Sequence, residues 1–165
     1  MIVVADTSPI NYLVLIEHIE VLPHFYGTVA IPPSVWEELQ DIHTPPVVRI
    51  WVANCPPWLE VRSLLGSTDP SLNFLDKGER EAISLAEELH ADRLIADETL
   101  ARTGAIRRKL SVIGTLGVLR NAARASLLNL PEALSKLQET SFYVAPELIR
   151  SLLDEDAEHL KSGKS

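Results

Sequence analysis

Met1-Ile-Val-Val-Ala-Asp6-Thr7-Ser8-Pro9-Ile10-Asn11 is an apolar run that stops at a carboxylate and turns at once into a helix. Ile2, Val3 and Val4 are β-branched, as expected of a strand buried on both faces, with Ser8 as N-cap and Pro9 at the first helical position. Asp6 then stands at the strand's carboxyl end. In an open parallel sheet that edge binds ligands, because loops leave it and helix N-termini face it. A lone strand-end aspartate serves equally well as a turn cap, so the other carboxylates decide its meaning.

Arg93-Leu-Ile-Ala-Asp97 repeats the opening pattern and runs into a helix from Glu98. Between the two lie further short strands, Thr28–Ile31 and an edge piece at Trp58–Arg62, and Ser111–Gly117 gives a last strand and tight turn before a helix over Val118–Ala125. Helices are expected over Pro9–Ile19, Val21–Tyr26, Ser34–Gln40, Val47–Asn54, Asp76–His90, Pro131–Gln138 and Pro146–His159. Gly66–Phe74 reads as a polar, mobile loop, and Lys161–Ser165 as a fraying end. Strands alternating with helices predict right-handed crossovers and a three-layer α/β/α sandwich around a central parallel sheet. The whole is read as one domain, with its body over residues 1–145 and a C-terminal helix and tail over 146–165.

Two helices supply further acids. In Ser34-Val-Trp-Glu-Glu-Leu-Gln, Glu38 flanks the apolar stripe while Glu37 points away from it. Glu79 projects from the first turn of the 76–90 helix on the side of Ala82, Ile83, Ala86 and Leu89, whereas Glu81 lies well off that stripe. Asp76 and Glu79 also have capping-box spacing, a purely structural role. If Asp6, Glu38, Glu79 and Asp97 converge, unit charges about 4 Å apart repel by roughly 4 kcal/mol at an effective dielectric of 20, and a cation must compensate. Oxygen-only ligation selects Mg²⁺ or Mn²⁺; none of the 5 histidines stands in a ligand spacing. Such a site suits metal-assisted phosphodiester hydrolysis, in which the ion activates water and stabilises the entering and leaving oxygens.

The net charge of −8 argues against holding nucleic acid by bulk electrostatics. The positive charge is uneven, however: Arg102, Arg107, Arg108, Lys109, Arg120 and Arg124 stand between Thr99 and Pro131 with no acid among them. That run offers a basic face, with a solvated surface as the equal alternative. No apolar run approaches the roughly 20 residues that cross a bilayer, and no secretory signal opens the chain, so a cytoplasmic protein is expected. The single Cys55 excludes an intramolecular disulfide and reads as a packed thiol.

The succession Val-Ala-Asp6-Thr7-Ser8, Val35-Trp-Glu-Glu38-Leu39, Gly78-Glu79-Arg-Glu-Ala-Ile-Ser-Leu-Ala86 and Leu94-Ile-Ala-Asp97 resembles the PIN-domain nucleases, especially their VapC-like toxin branch. The resemblance runs from Ile2 to Leu119, and Gly114-Thr-Leu-Gly-Val-Leu119 looks like a less-studied branch. It implies that Asp6, Glu38, Glu79 and Asp97 form the acidic quartet that binds Mg²⁺ or Mn²⁺ in a single-strand-specific ribonuclease, with Thr7 and Ser8 as supporting hydroxyls. It also implies a cognate antitoxin that presents an Arg to the carboxylates, and a homodimer, whose interface Leu148, Ile149, Leu152 and Leu153 would serve if they do not pack within the monomer. Two departures stand out: Ile95 occupies a position that is often Thr, and the third acid is Glu79 where Asp is usual, with Glu81 its rival. Ala86 and Asp97 follow Glu79 at the family's offsets. A non-catalytic PIN-like binding module is the alternative. An aspartyl phosphotransferase is disfavoured, because its second Asp would stand where Ser8 does.

Overall fold

A computed structural model describes residues 1–163. The backbone groups into two compact units, Met1–Thr115 and Leu116–Ser165. The expected division at residues 145/146 falls inside the second unit.

The first unit is built on five short strands, β1 (Val3–Ala5), β2 (Val29–Ile31), β3 (Leu59–Val61), β4 (Arg93–Ile95) and β5 (Val112–Ile113). They pair in parallel throughout, in the order β3-β2-β1-β4-β5. Register follows from Val4 opposite both Ala30 and Leu94. The chain steps outward from β1 to β3, then crosses back to lay β4 against the free side of β1. By the right-handed crossover rule, α1 (Thr7–Leu15), α2 (Val21–Tyr26), α3 (Pro33–Leu39) and α4 (Pro46–Ala53) cover one face, and α5 (Lys77–Glu88) and α6 (Thr99–Arg107) the other. This is the α/β/α sandwich expected from the sequence, and its topological switch point lies between β1 and β4.

Both faces of so short a sheet must be apolar. Val4, Ala30, Leu94 and Ala96 pack with Leu72, Leu75, Ala82, Ile83, Leu85, Ala86, Ala101 and Ala105. The alternating residues Val3, Ala5, Val29, Ile31 and Ile95 are just as buried and point to the opposite face. Each large aliphatic side chain so buried contributes about 1.5–3 kcal/mol.

Three local expectations are corrected. The N-cap of α1 is Asp6, not Ser8: the Asp6 carboxylate accepts from the Thr7 amide at 2.8 Å, so the helix begins two residues earlier. The 66–74 loop is tied down, because Glu88 accepts the Leu65 and Gly66 amides, Asp69 caps a single 3-10 turn over Pro70–Leu72, and Leu72 is buried. The helix after β5, α7 (Thr115–Arg124), starts at Thr115 rather than Val118.

The second unit holds the rest of α7 with α8 (Leu130–Gln138) and α9 (Pro146–Ser162). Leu130, Ala133, Leu134 and Leu137 form the buried stripe of α8, which packs against α9. Arg120 and Arg124, one turn apart, both reach Glu155 of α9. Along α9, Leu152 is buried, Ile149 and Leu153 half-buried and Leu148 exposed. The expected fraying falls partly on helix, which reaches Ser162, and residues 164–165 lie outside the described ones. Among the described residues no helix is long and apolar enough to cross a membrane.

Candidate active site

The switch point is closed by a backbone contact: the Asp6 amide donates to the Ile95 carbonyl at 2.9 Å, holding the carboxyl ends of β1 and β4 side by side. Asp6 is only 6% exposed. Its carboxyl is pushed up to about 7, first by burial and then by Glu38, Asp76 and Asp97, against the opposing Thr7 amide. Among the described residues no ion pair engages Asp6.

Glu38 comes from α3, half-buried where Glu37 is exposed, as the helical pattern requires. The Thr7 hydroxyl donates to Glu38 Oε2. Burial raises the Glu38 carboxyl foremost, Thr7 and the Gly78 amide draw it down, and Asp76 and Glu81 push it up. Gly78 belongs to this contact. A Cβ there would stand 2.5 Å from Glu38 Oε1 and 2.8 Å from Oε2, so the first turn of α5 reaches the carboxylate only because residue 78 has no side chain.

Glu79 follows on the same turn. Asp76 caps α5, accepting the Glu79 amide at 2.8 Å. The Glu79 carboxyl is pushed up to about 8 by burial, then by the neighbouring Asp76 side chain and by Asp6. Asp97, two residues beyond β4, accepts from Ser8 Oγ at 2.8 Å on Oδ2, from Thr115 Oγ1 at 2.8 Å on the same oxygen, and from the Thr115 amide at 2.7 Å on Oδ1.

The four sequence-predicted acids therefore face one edge of the sheet. Among the described residues, no three Asp, Glu, His or Cys side chains stand close enough to enclose one ion as they are placed. The donor chemistry nonetheless fits a hard divalent cation. All the groups are oxygens, the buried Asp6 carboxylate has no ion-pair partner among the described residues, and Mg²⁺ commonly keeps several waters while taking only one or two carboxylates directly.

Residues 2–158 match the DUF3368 family of PIN domains. This chain belongs to the PIN-domain family. PIN domains are generally nucleases and typically use divalent metal ions. The fold is similar to that of a PilT N-terminus domain protein from the hyperthermophilic archaeon Sulfolobus solfataricus P2, at 18% identity, with a TM-score of 0.51 over 88% of this chain and 100% of that one. No curated protein matches the chain.

Around the acids of this PIN domain the basic residues diverge. Arg102 reaches the site: its Nη1 is 3.5 Å from where a Gly114 Cβ would stand, a point 2.9 Å from Asp97 Oδ1. Arg107 and Lys109 are exposed. Arg108 is committed elsewhere, bonded to Glu87 at 2.7 Å, Asp69 at 3.1 Å and Ser71 at 3.3 Å. Cys55 plays no part; its thiol faces the Pro56 and Leu59 carbonyls, and burial raises it away from thiolate reactivity.

Sequence reasoning assigned Asp76 only to capping, yet its charge acts on Asp6, Glu38 and Glu79 alike. An aspartate where a capping box usually carries Ser or Thr was the available signal. Thr115, inside the Gly114–Leu119 motif, carries no local signal of its role. Asp6 raises the Glu79 carboxyl and Glu81 raises that of Glu38, so the charges of these two rivals act on different members of one cluster.

Proposed function

We propose that this PIN domain is a metal-dependent endoribonuclease acting on single-stranded RNA, the VapC-like toxin of a toxin-antitoxin pair. The observation that carries this reading is Asp6, a buried carboxylate at the switch point with acidic neighbours and, among the described residues, no ion-pair partner. Asp6, Glu38, Glu79 and Asp97 are the residues to hold Mg²⁺ or Mn²⁺. When bound, the ion supplies neutralising charge to the carboxylates and to the phosphate under attack. Thr7 orients Glu38, and Ser8 orients Asp97. Arg102, at the rim, orients the RNA phosphate, with Arg107 and Lys109 adding longer-range attraction. The same carboxylates offer an Arg of an antitoxin its natural partners. A homodimer would set two such edges beside one groove, and cytoplasmic residence follows from that role.

Cleavage of a labelled single-stranded RNA with Mn²⁺, Mg²⁺ or EDTA, beside Asp6→Asn, tests the reading. Metal-dependent cutting that the variant loses is expected. Equal weak cutting by both proteins would identify a contaminant, and no cutting without metal-induced stabilisation would leave a non-catalytic binding module.

A further inference from the structure

Asp97 differs from the other acids in being almost fully engaged. A carboxylate offers about four lone-pair sites, and Ser8 and the two Thr115 donors occupy three of them, both of Oδ2 and one of Oδ1. Two of the three come from Thr115, which is 0% exposed and lies 18 residues downstream of Asp97. The preceding residue has to be glycine for this approach, since a Cβ on Gly114 would meet Asp97 Oδ1 at 2.9 Å and the Ala96 carbonyl at 3.4 Å. A buried hydroxyl and amide on one residue fix both the position and the rotation of the carboxylate.

We propose that Thr115 is a positioning residue for Asp97, and that Asp97 would consequently offer a cation only its one remaining oxygen lone pair, or a water held by it. This rests on the metal-dependent reading above. Gly114 is part of the same device, because it admits the Thr115 amide to Oδ1. Held in this way, Asp97 would be a fixed anion beside a bound ion, so loosening it would weaken metal binding rather than RNA docking.

The test is Mn²⁺ titration by calorimetry, with RNA cleavage kinetics and metal-free melting, on wild type, Thr115→Val, Thr115→Ser and Gly114→Ala. Thr115→Val keeps the shape and the amide but removes the hydroxyl. It is expected to weaken Mn²⁺ binding and lower kcat by about 10-fold, within the range for outer partners of metal ligands, with KM for RNA unchanged. Thr115→Ser restores both. Gly114→Ala, which leaves the hydroxyl in place and crowds Oδ1, weakens Mn²⁺ binding in the same way, so the idea stays testable if Thr115→Val fails to fold. Wild-type Mn²⁺ affinity and kcat in a folded Thr115→Val would overturn the clamp while leaving the nuclease reading intact. So would a Thr115→Ser as impaired as Thr115→Val, which would mean that the methyl group packs rather than that the hydroxyl positions. A wild-type protein that binds no Mn²⁺ would remove both proposals together.

Discussion

Asp6 and Asp97 end two adjacent parallel strands with nearly the same lead-in, Val-Val-Ala before one and Leu-Ile-Ala before the other, yet they are built as opposites. Asp6 is buried, holds one amide donor and is raised to about 7. Asp97 is half-exposed and holds three donors. One carboxylate is left short of partners, and the other has its partners supplied by the fold. The difference is what a cation site needs: a ligand with lone pairs to give, beside an anion that does not move. A cluster in which every acid was satisfied would have little to gain from an ion, and one in which none was would not hold its shape.

Neutralising each aspartate separates the two roles. Asp6→Asn is expected to cut RNA cleavage by more than about 100-fold, beyond what outer partners of a metal site carry. The same variant, freed of metal at pH 8, should melt higher than wild type, because the buried charge is gone while the amide oxygen still caps Thr7. The gain is expected at about 3–6 °C. Asp97→Asn should melt lower under identical conditions, since the Ser8 hydroxyl and both Thr115 donors lose a charged acceptor. Losing charge-assisted bonds of this kind costs about 1–3 kcal/mol. Paired metal-free melting curves check both signs, and a fall in Tm for Asp6→Asn would break the contrast.

Gly78→Ala attacks the Glu38 side of the cluster. Its Cβ would enter the carboxylate at 2.5 Å, and relief requires Glu38 to swing away or the start of α5 to shift. A loss of about 1–3 kcal/mol, as for overpacking elsewhere, is expected in chemical denaturation, with weakened Mn²⁺ binding.

The pH dependence of the metal-free protein is the next effect in size. Asp6 at about 7 and Glu79 at about 8 both lie above their ordinary values of 3.8 and 4.5, so the folded state binds these protons more tightly than the unfolded chain does. Their stabilising contribution is complete below pH 4 and is lost as pH rises through 7 and 8. Melting between pH 5 and 9 should therefore show a decline across that window, flattened at its lower end by Asp6→Asn and at its upper end by Glu79→Gln. Saturating Mn²⁺ should oppose the decline, by binding the folded state in its ionised form.

The strand-end aspartates and the inward face of α3 were legible because periodicity decides them: β-branched runs end at Asp6 and Asp97, and 100° per residue separates Glu38 from Glu37. The parallel sheet followed from alternation of elements. Asp76 was hidden because its local role, capping α5, is complete in itself, and only the approach of α3 gives its charge a second meaning. Thr115 was hidden for a related reason. Its partner is 18 residues away across the β4–β5 step, and nothing in Gly114-Thr115 taken locally names a carboxylate. The tethering of the 66–74 loop through Glu88 and Arg108 is likewise a matter of pairings distant in sequence, which composition does not reveal.

The same distinction between engaged and available groups orders the basic residues, where the effects are smallest. Arg108 is spent on Glu87 and Asp69 within the fold, whereas Arg102 reaches the space beside Gly114 and Arg107 is open to solvent. Arg108→Ala should lower Tm by a few degrees and leave RNA binding nearly unchanged. Arg102→Ala should raise KM several-fold and lessen its salt dependence, because a phosphate contact is lost, and Arg107→Ala should do the same more weakly. KM measured against salt concentration for the three variants checks the order. If Arg108→Ala instead weakened RNA binding as much as Arg102→Ala, its ion pairs would have to open in the complex, and availability in the free protein would not be the quantity that selects the RNA contacts.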